Sequence, residues 1–433
     1  MVSSRHPDHA TFVRRRLAVA TFAIFVVVLG VLVLRRGGGD NTGNIASGPA
    51  ASAASSGTVK NNNAATTTQR LPRVVKMMFT GDTLVHQAVY EQARNYGAAS
   101  GKAYDFGPMF DKVRPIVSSA DIAICHQETA LTPDDKVVSG YPVFSTPHEI
   151  LDALKGAGFD GCSAASNHQM DRGAAGVIDS ANLFDQVGLK QSGLARTAQE
   201  AATATVYQAN GVKIAHLAYV YGLNGYTLPA DKPFLVRLTD KGRFDLPMAG
   251  PYSADGILAD AKAAKAAGAD IVVITLHWGQ EYQSKPTDGQ VKLANQLLAS
   301  PDIDLVVGSH VHVIQPIDRI GDKYVVYGLG NFLSNQASEA AAGLPAASQD
   351  GVIVEVDLTE TGTGGFKASA VSYTPTWVNR TAGYVITPVS DALKDPSTPA
   401  ATKTALQQSL LRTNTAINAL GAASKGVALA NAA

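Results

Sequence analysis

Tryptophan and cysteine occur twice each in the 433 residues, and aromatic side chains make up only 7% of the chain. With so few large rings, a core must be packed by aliphatic strands and Ala-rich helices. The two cysteines, Cys125 and Cys162, leave two readings open: one disulfide in an exported protein, or two small thiols buried at strand ends. Neither sign of charge is in surplus, since 36 basic side chains balance 36 acidic ones to a net +0. That removes the electrostatic case for a nucleic-acid partner, which needs a local excess of Lys and Arg to displace counterions. No internal repeat is visible.

One long uncharged run is present, from Leu17 to Leu34. A helix needs roughly 17–25 residues to cross a bilayer, so this run just suffices. Arg14, Arg15 and Arg16 precede it, with Arg5 further upstream, and only Arg35 and Arg36 follow. That bias favours a cytoplasmic N-terminus and an exported body. The Arg-Arg-Gly-Gly-Gly flank offers no small-x-small cleavage site, although the Ala/Ser-rich stretch from Ala46 to Ala54 leaves later cleavage open. Gly37 to Gln69 is too poor in large apolar residues to offset chain entropy and reads as a tether. The expected organisation is a cytoplasmic tail (1–16), a single transmembrane helix (17–34), a flexible extracytoplasmic linker (35–70), a folded domain (71–390) and a peripheral Ala-rich helical segment (391–433). The protein is expected in the cell membrane as a single-pass signal-anchor, with its folded domain outside.

Within the folded part, apolar runs alternate with helical stretches. Strands are expected at Val74–Thr80, Asp121–Cys125, Phe159–Ala165, Ile271–Leu276 and Leu305–Val307, and helices at Leu84–Tyr96, Glu149–Gly158, Gly173–Val187, Asp255–Ala267 and Gln290–Ser300. Asn210-Gly211 and Gly321-Asp322 each mark the turn of a hairpin. Strands alternating with helices imply βαβ units and mostly parallel pairing. Late strands near Val352–Leu358 and Ala368–Tyr373 suggest a second sheet packed on the first.

Five apolar strands stop where a metal-binding side chain follows at once. Asp82, Glu128, the pair Asn167-His168, His277, and His310 with His312 occupy these positions. In open α/β sheets the carboxyl ends of the strands form the ligand crevice, so five such ends would gather carboxylates, an amide and imidazoles. Imidazole mixed with carboxylate suits Zn, Mn or Fe rather than Ca or Mg. His310 and His312 are two apart and would face the same way on an extended segment. Taken singly, each is unremarkable: a strand-end His is more often structural, Asp82 fits a helix N-cap, Glu128 a surface charge, and Asn167 a backbone cap. Their joint occurrence in strand–helix order is the signal.

Gly81-Asp82, His126-Gln127-Glu128-Thr129, Ser166-Asn167-His168-Gln-Met-Asp171-Arg-Gly173, His277-Trp278-Gly279-Gln280-Glu281-Tyr282, Gly308-Ser309-His310-Val311-His312 with Gln315-Pro316, and Gly328-Leu329-Gly330-Asn331-Phe332 together resemble the motif series of the CapA family. These are poly-γ-glutamate capsule biosynthesis proteins with a calcineurin-like metallophosphatase fold. The resemblance spans Val74 to Leu333 in order, and departs at His126, where the family more often has Asn before Leu-Glu. It implies an α/β fold, a four-layer αββα sandwich of the metallo-dependent phosphatase type. It also implies two divalent ions (Zn, Mn or Fe) held by Asp82, Glu128, Asn167, His277, His310 and His312, with Glu128 bridging. Two such ions activate a water and hold transition-state charge. His168 becomes the general acid or charge stabiliser. Asp171 either orients its imidazole or caps the next helix. His86, His126 and Asn331 are candidate supporting positions, and Trp278 and Tyr282 are expected in the cleft wall. The function implied is a metal-dependent hydrolase outside the cell, cleaving an amide in wall or capsule polymer in preference to a phosphate ester. The competing reading is a non-catalytic assembly component that binds anionic polymer or a membrane synthase.

Overall fold

The computed structural model describes residues 70–240 and 247–430. The expected tail, membrane helix and nearly all of the linker lie outside the described residues. Among the described residues, no helix is long and apolar enough to cross a membrane.

Chain order begins with β1 (Val74–Leu84), α1 (Gln87–Ser100), β2 (Ile122–Gln127) and a short pair, β3 (Leu131–Thr132) and β4 (Thr146–Pro147). Then come α2 (Ile150–Ala157), β5 (Gly161–Ser163), α3 (Gly173–Val187) and β6 (Lys190–Ser192). The middle of the chain gives β7 (Thr205–Ala209), β8 (Val212–Val220), α4 (Asp255–Ala266), β9 (Ile271–His277), α5 (Asp288–Leu298), β10 (Leu305–Ser309), β11 (Ile317–Ile320) and β12 (Lys323–Val326). Last are β13 (Asn331–Ser334), β14 (Asp350–Glu360), β15 (Phe366–Asn379), β16 (Val385–Pro388), α6 (Ala400–Ile417) and β17 (Val427–Leu429).

Two sheets result. One runs β16-β15-β14-β1-β2-β5-β6, with β13 also on β1 and β17 also on β15; the other runs β11-β12-β10-β9-β8-β7. Alternation along each strand divides the core in two. Val75, Met77 and Phe79 of β1 meet Ile214, Ile271, Val273, Leu305 and Val307 of the other sheet. Met78 of β1, and Val272, Ile274 and Leu276 of β9, pack instead with helix residues such as Val89, Val177, Ile257 and Leu293. A period-2 strand with both faces apolar is what a sheet covered on both sides requires. The two sheets therefore pack face to face with helices outside them.

The late strands correct one expectation. β14 and β15 do not build the second sheet; β14 pairs antiparallel with β1 and β15 with β14, so they extend the first sheet. The second sheet comes from the middle of the chain, where both expected hairpins form: β7–β8 around Asn210 and Gly211, and β11–β12 around Gly321. β1 also runs on through Leu84, so the first helix starts at Gln87 rather than Leu84. Its extension is held by a late partner, β13, in parallel register from Asp82↔Asn331. The C-terminal segment supplies more than a helix. α6 buries Leu406 and Ile417, and Val427–Leu429 adds a parallel strand to β15.

Cys125 and Cys162 face each other in the β2–β5 register and form a disulfide, buried beneath the helices.

Candidate metal centre

The seven side chains expected at strand ends converge. Asp82 lies within β1, Glu128 one residue past β2, Asn167 and His168 after β5, His277 at the end of β9, and His310 and His312 after β10. Local backbone explains the first. Gly81 lies so close to β13 that a Cβ there would stand 1.9 Å from the Gly330 carbonyl oxygen, and the Asp82 amide donates to that same oxygen at 2.9 Å. Only glycine permits that approach. The pairing of β1 with β2 shifts register between Phe79 and Asp82, and this irregularity turns Asp82 toward the second sheet.

His310 and His312 reach the site differently from expectation. β10 ends at Ser309, and both histidines lie beyond it in the left-handed region, at φ 95° and 57°. They are therefore not neighbours on an extended strand; two left-handed turns bring their ring centroids to 6.0 Å. Non-glycine residues held at positive φ cost roughly 1–3 kcal/mol each and cluster at functional sites. The His310 amide donates to Asp82 Oδ1 at 3.2 Å, which anchors this strained turn to β1.

Glu128 occupies the middle. Its Oε1 lies 3.7 Å from His312 Nε2 and 4.0 Å from His277 Nε2, while His312 Nδ1 is 3.1 Å from Asp82 Oδ2. His277 Nε2 faces Asn167 Oδ1 at 2.9 Å. Two groups of donor atoms, Asp82/His126/His277 and Glu128/His310/His312, each fall within 4.8 Å of one another, and all six residues are buried. Both oxygens of Glu128 and both ring nitrogens of His310 lack any hydrogen-bond partner. Unpaired buried polar atoms cost about 1–3 kcal/mol each, so four of them on two neighbouring residues of one donor group call for a ligand. Carboxylates, an amide oxygen and imidazoles are donors for a borderline divalent metal, and the residues present fit one.

Electrostatics agree with that fit. Burial holds the Glu128 carboxyl well above the usual range. It likewise pushes His277 and His310 well below the usual imidazole range, reinforced by the neighbouring histidines, which keeps both neutral as metal ligands must be. Burial would lower His312 too, but Glu128 and Asp82 override it and raise this imidazole to about 10. A cation replacing that proton would satisfy the same two carboxylates.

The supporting positions resolve as follows. His126 Nε2 meets His277 Nδ1 at 3.0 Å, and its Nδ1 meets Ser163 Oγ at 2.8 Å. Asn331 Oδ1 lies 3.2 Å from His312 Nδ1, and its amide donates to the Ser348 carbonyl at 2.8 Å and to Gln336 Oε1 at 3.0 Å. His86 stands outside the donor groups, edge-on to Phe144, with burial lowering it to about 4. Trp278 is fully buried and donates to the Tyr327 carbonyl, so it packs the core behind the cleft. Tyr282 lies against His312, with ring centroids 5.9 Å apart.

His168 is set apart from the donors. Its Nδ1 meets Asp171 Oδ2 at 2.7 Å, and the same carboxylate oxygen accepts from the Phe144 amide at 2.7 Å. Asp171 is therefore an orienting group and not a helix cap; α3 is capped at Arg172 with no side-chain bond. Phe144 packs edge-on against His168 at 4.7 Å. Asn224, whose side chain accepts from Asn167 Nδ2 at 3.1 Å and lies 3.4 Å from His168 Nδ1, joins the two. Sequence reasoning missed Asn224, Phe144 and Ser163. The Asn224-Gly225 turn carries only a turn signal, and nothing local marks the other two.

Residues 76–336 match the family described as bacterial capsule synthesis protein PGA_cap. The PGA biosynthesis protein CapA of Bacillus subtilis is 30% identical over 301 residues, 69% of this chain and 71% of that one. The capsule biosynthesis protein CapA of Bacillus anthracis is 26% identical, over 66% of this chain and 64% of its own. Among solved structures, the calcineurin-like phosphoesterase YfkN of Bacillus subtilis is 13% identical at a TM-score of 0.42, over 79% of this chain and 98% of that one. With three-fifths of its length inside the family match and the strand-end donors falling within it, this chain belongs to the bacterial capsule synthesis protein (CapA) family.

Proposed function

We propose that this protein is a two-metal hydrolase of the calcineurin-like type, anchored in the cell membrane by its N-terminal helix and acting outside the cell on wall or capsule polymer. The single observation behind this reading is the position of Glu128: a buried carboxylate, unpaired at both oxygens, between His312 and His277. Asp82, Asn167, His277, His310 and His312 would hold a pair of divalent ions, with Glu128 shared between them. Such a pair, when bound, lowers the pKa of a water and neutralises charge that develops on the scissile group.

The chain's own residues do the rest. With the His277 Nε2 lone pair committed to an ion, Nδ1–H donates to His126 Nε2, His126 Nδ1–H donates to Ser163, and the Ser163 hydroxyl donates to the Cys125 carbonyl. This relay fixes the tautomer of His277 and gives His126 a role as its support. Asp171 accepts from His168 Nδ1–H, which leaves Nε2 to pass a proton to the leaving group or to hold negative charge beside it. Phe144 covers one edge of that ring and excludes water there.

An amide bond of γ-glutamyl or peptide type is the preferred substrate, in keeping with the capsule polymer in the relatives' names; a phosphate ester is the alternative. The test measures amine release from γ-glutamyl polymers against phosphate release from model diesters, with and without chelator. Chelator-sensitive amine release supports the reading, and inactivity on both substrates with metal fully loaded defeats it. The relatives' names describe synthesis rather than breakdown, which favours a second reading: a metal-stabilised assembly component that binds anionic polymer or a membrane synthase. His168→Ala separates the two. A hydrolase loses turnover while keeping metal and fold, and a scaffold keeps its function.

A further inference from the structure

We infer that Asp135, His148 and Glu149 form a second, separate divalent-metal site that fastens the loop between β3 and β4. Their donor atoms lie within 4.8 Å of one another. His148 Nδ1 stands 3.5 Å from Asp135 Oδ1 and 3.6 Å from Glu149 Oε2. Ligands at about 2.0–2.2 Å from a tetrahedral ion stand roughly 3.3–3.6 Å apart, so these spacings are those of one coordination shell. All three atoms are individually buried, and none has a hydrogen-bond partner. Two carboxylates and a neutral imidazole carry a charge of about −2, matching a divalent cation, and the imidazole favours Zn²⁺ or Mn²⁺ over Ca²⁺. None of the three belongs to the donor groups of the central site.

Topology explains the convergence. β3 and β4 pair in parallel, Leu131↔Thr146 and Thr132↔Pro147, so their carboxyl ends lie side by side. Asp135 follows β3 in a left-handed turn (φ 53°), and His148 and Glu149 follow β4 directly. Between them the loop is closed by Ser139 and Ser145, which exchange two backbone hydrogen bonds at 3.0 Å. The same loop carries Phe144, whose amide binds Asp171 and whose ring lies against His168. An ion at the loop's base would hold that buttress in place.

The experiment uses the full chain in mild detergent, stripped with chelator and reloaded with Zn²⁺. The wild type should hold one equivalent more than Asp135→Asn/Glu149→Gln, by mass-spectrometric metal analysis. Lys136, whose side chain is 80% exposed within this loop, provides a second readout. Zn²⁺ at ten times its dissociation constant should slow trypsin cleavage after Lys136 about tenfold in the wild type, and not in the variant. Glu128→Gln, altered only at the central site, should keep that protection, so failure of the central-site reading leaves this test intact. If the double variant does not fold, wild-type protection by Zn²⁺ and its reversal by chelator still decide the matter. Equal metal content in wild type and variant, or cleavage at Lys136 indifferent to Zn²⁺, would overturn the proposal.

Discussion

Glu128→Gln tests the centre without knowledge of the substrate. The amide keeps the shape of the side chain, removes its repulsion from Asp82 and gives up its attraction to His312. These opposing changes partly cancel, so the metal-free variant should melt within about 2 °C of the metal-free wild type. Metal separates them. An ion at 1,000 times its dissociation constant adds about 4 kcal/mol to stability, and two add about 8. Unfolding entropy near 2.1 cal/mol/K per residue, over roughly 360 described residues, is about 760 cal/mol/K. The wild type should therefore gain about 10 °C. Losing the charged ligand shared by both ions weakens each by at least about a hundredfold. That leaves roughly 1.4 kcal/mol per ion and a gain of about 4 °C at the same free metal. Scanning calorimetry with and without Mn²⁺, after chelator treatment, measures both gains. An ion at the Asp135 site adds equally to both proteins and cancels in the difference. Equal gains within about 2 °C would refute the placement of Glu128 between two ions.

Asp171→Asn should lower kcat about 10–100-fold with KM and metal content unchanged; an unchanged kcat would remove Asp171 from its orienting role. Arg412→Ala strands Asp350, whose side chain is 2% exposed and bonded to Arg412 at 2.7 and 2.9 Å, and should cost about 2–3 kcal/mol, or roughly 3–4 °C by calorimetry. Glu360 is held at about 2, below its ordinary 4.5, by Arg73 and Arg70. A depressed carboxylate contributes stability that is complete above about pH 4.5 and disappears as pH falls through about 2. The denaturant midpoints of wild type and Glu360→Gln should therefore differ constantly between about pH 5 and 7 and meet near pH 2, and a gap persisting there would contradict the assignment. Gly81→Ala must push β1 away from Gly330, so it should lower the melting temperature and abolish most of the metal-dependent gain; retention of that gain would show that Asp82 is dispensable.

Most of the donor positions were legible because, Asp82 within β1 excepted, they stand at or beyond the end of an apolar strand, and that signal is local. Val-Val-Ile-Thr-Leu before His277 and Leu-Val-Val-Gly-Ser before His310 mark buried strands whatever sheet they join. Sheet membership was not legible. Val352–Leu358 is as apolar as a strand of either sheet, and its pairing with β1 depends on a partner some 280 residues away. The same distinction separates the ligands from their supports. Asp171 lies three residues from His168, so its role could be weighed from spacing alone. Ser163 and His126 meet only because β2 and β5 run side by side, and Phe144 and Asn224 arrive on loops whose paths follow from the packing of whole elements.

The backbone at His310 and His312 shows why spacing can indicate the right residues for the wrong reason. A two-residue interval implies a shared face only if the segment is extended. Here both residues are left-handed, and their rings converge because Asp82 binds the His310 amide and because Asn331 and Asp82 hold the His312 ring. The turn is thus stabilised by the same carboxylate that would share a cation with His312. Removing Asp82 should therefore release backbone as well as a ligand, and its loss should be the harder of the two carboxylate losses for the fold to tolerate. Glu128, by contrast, has no hydrogen bond to its carboxylate oxygens to lose. In the metal-free state Asp82→Ala should melt below Glu128→Ala, an order that a purely coordinating role for both residues does not produce.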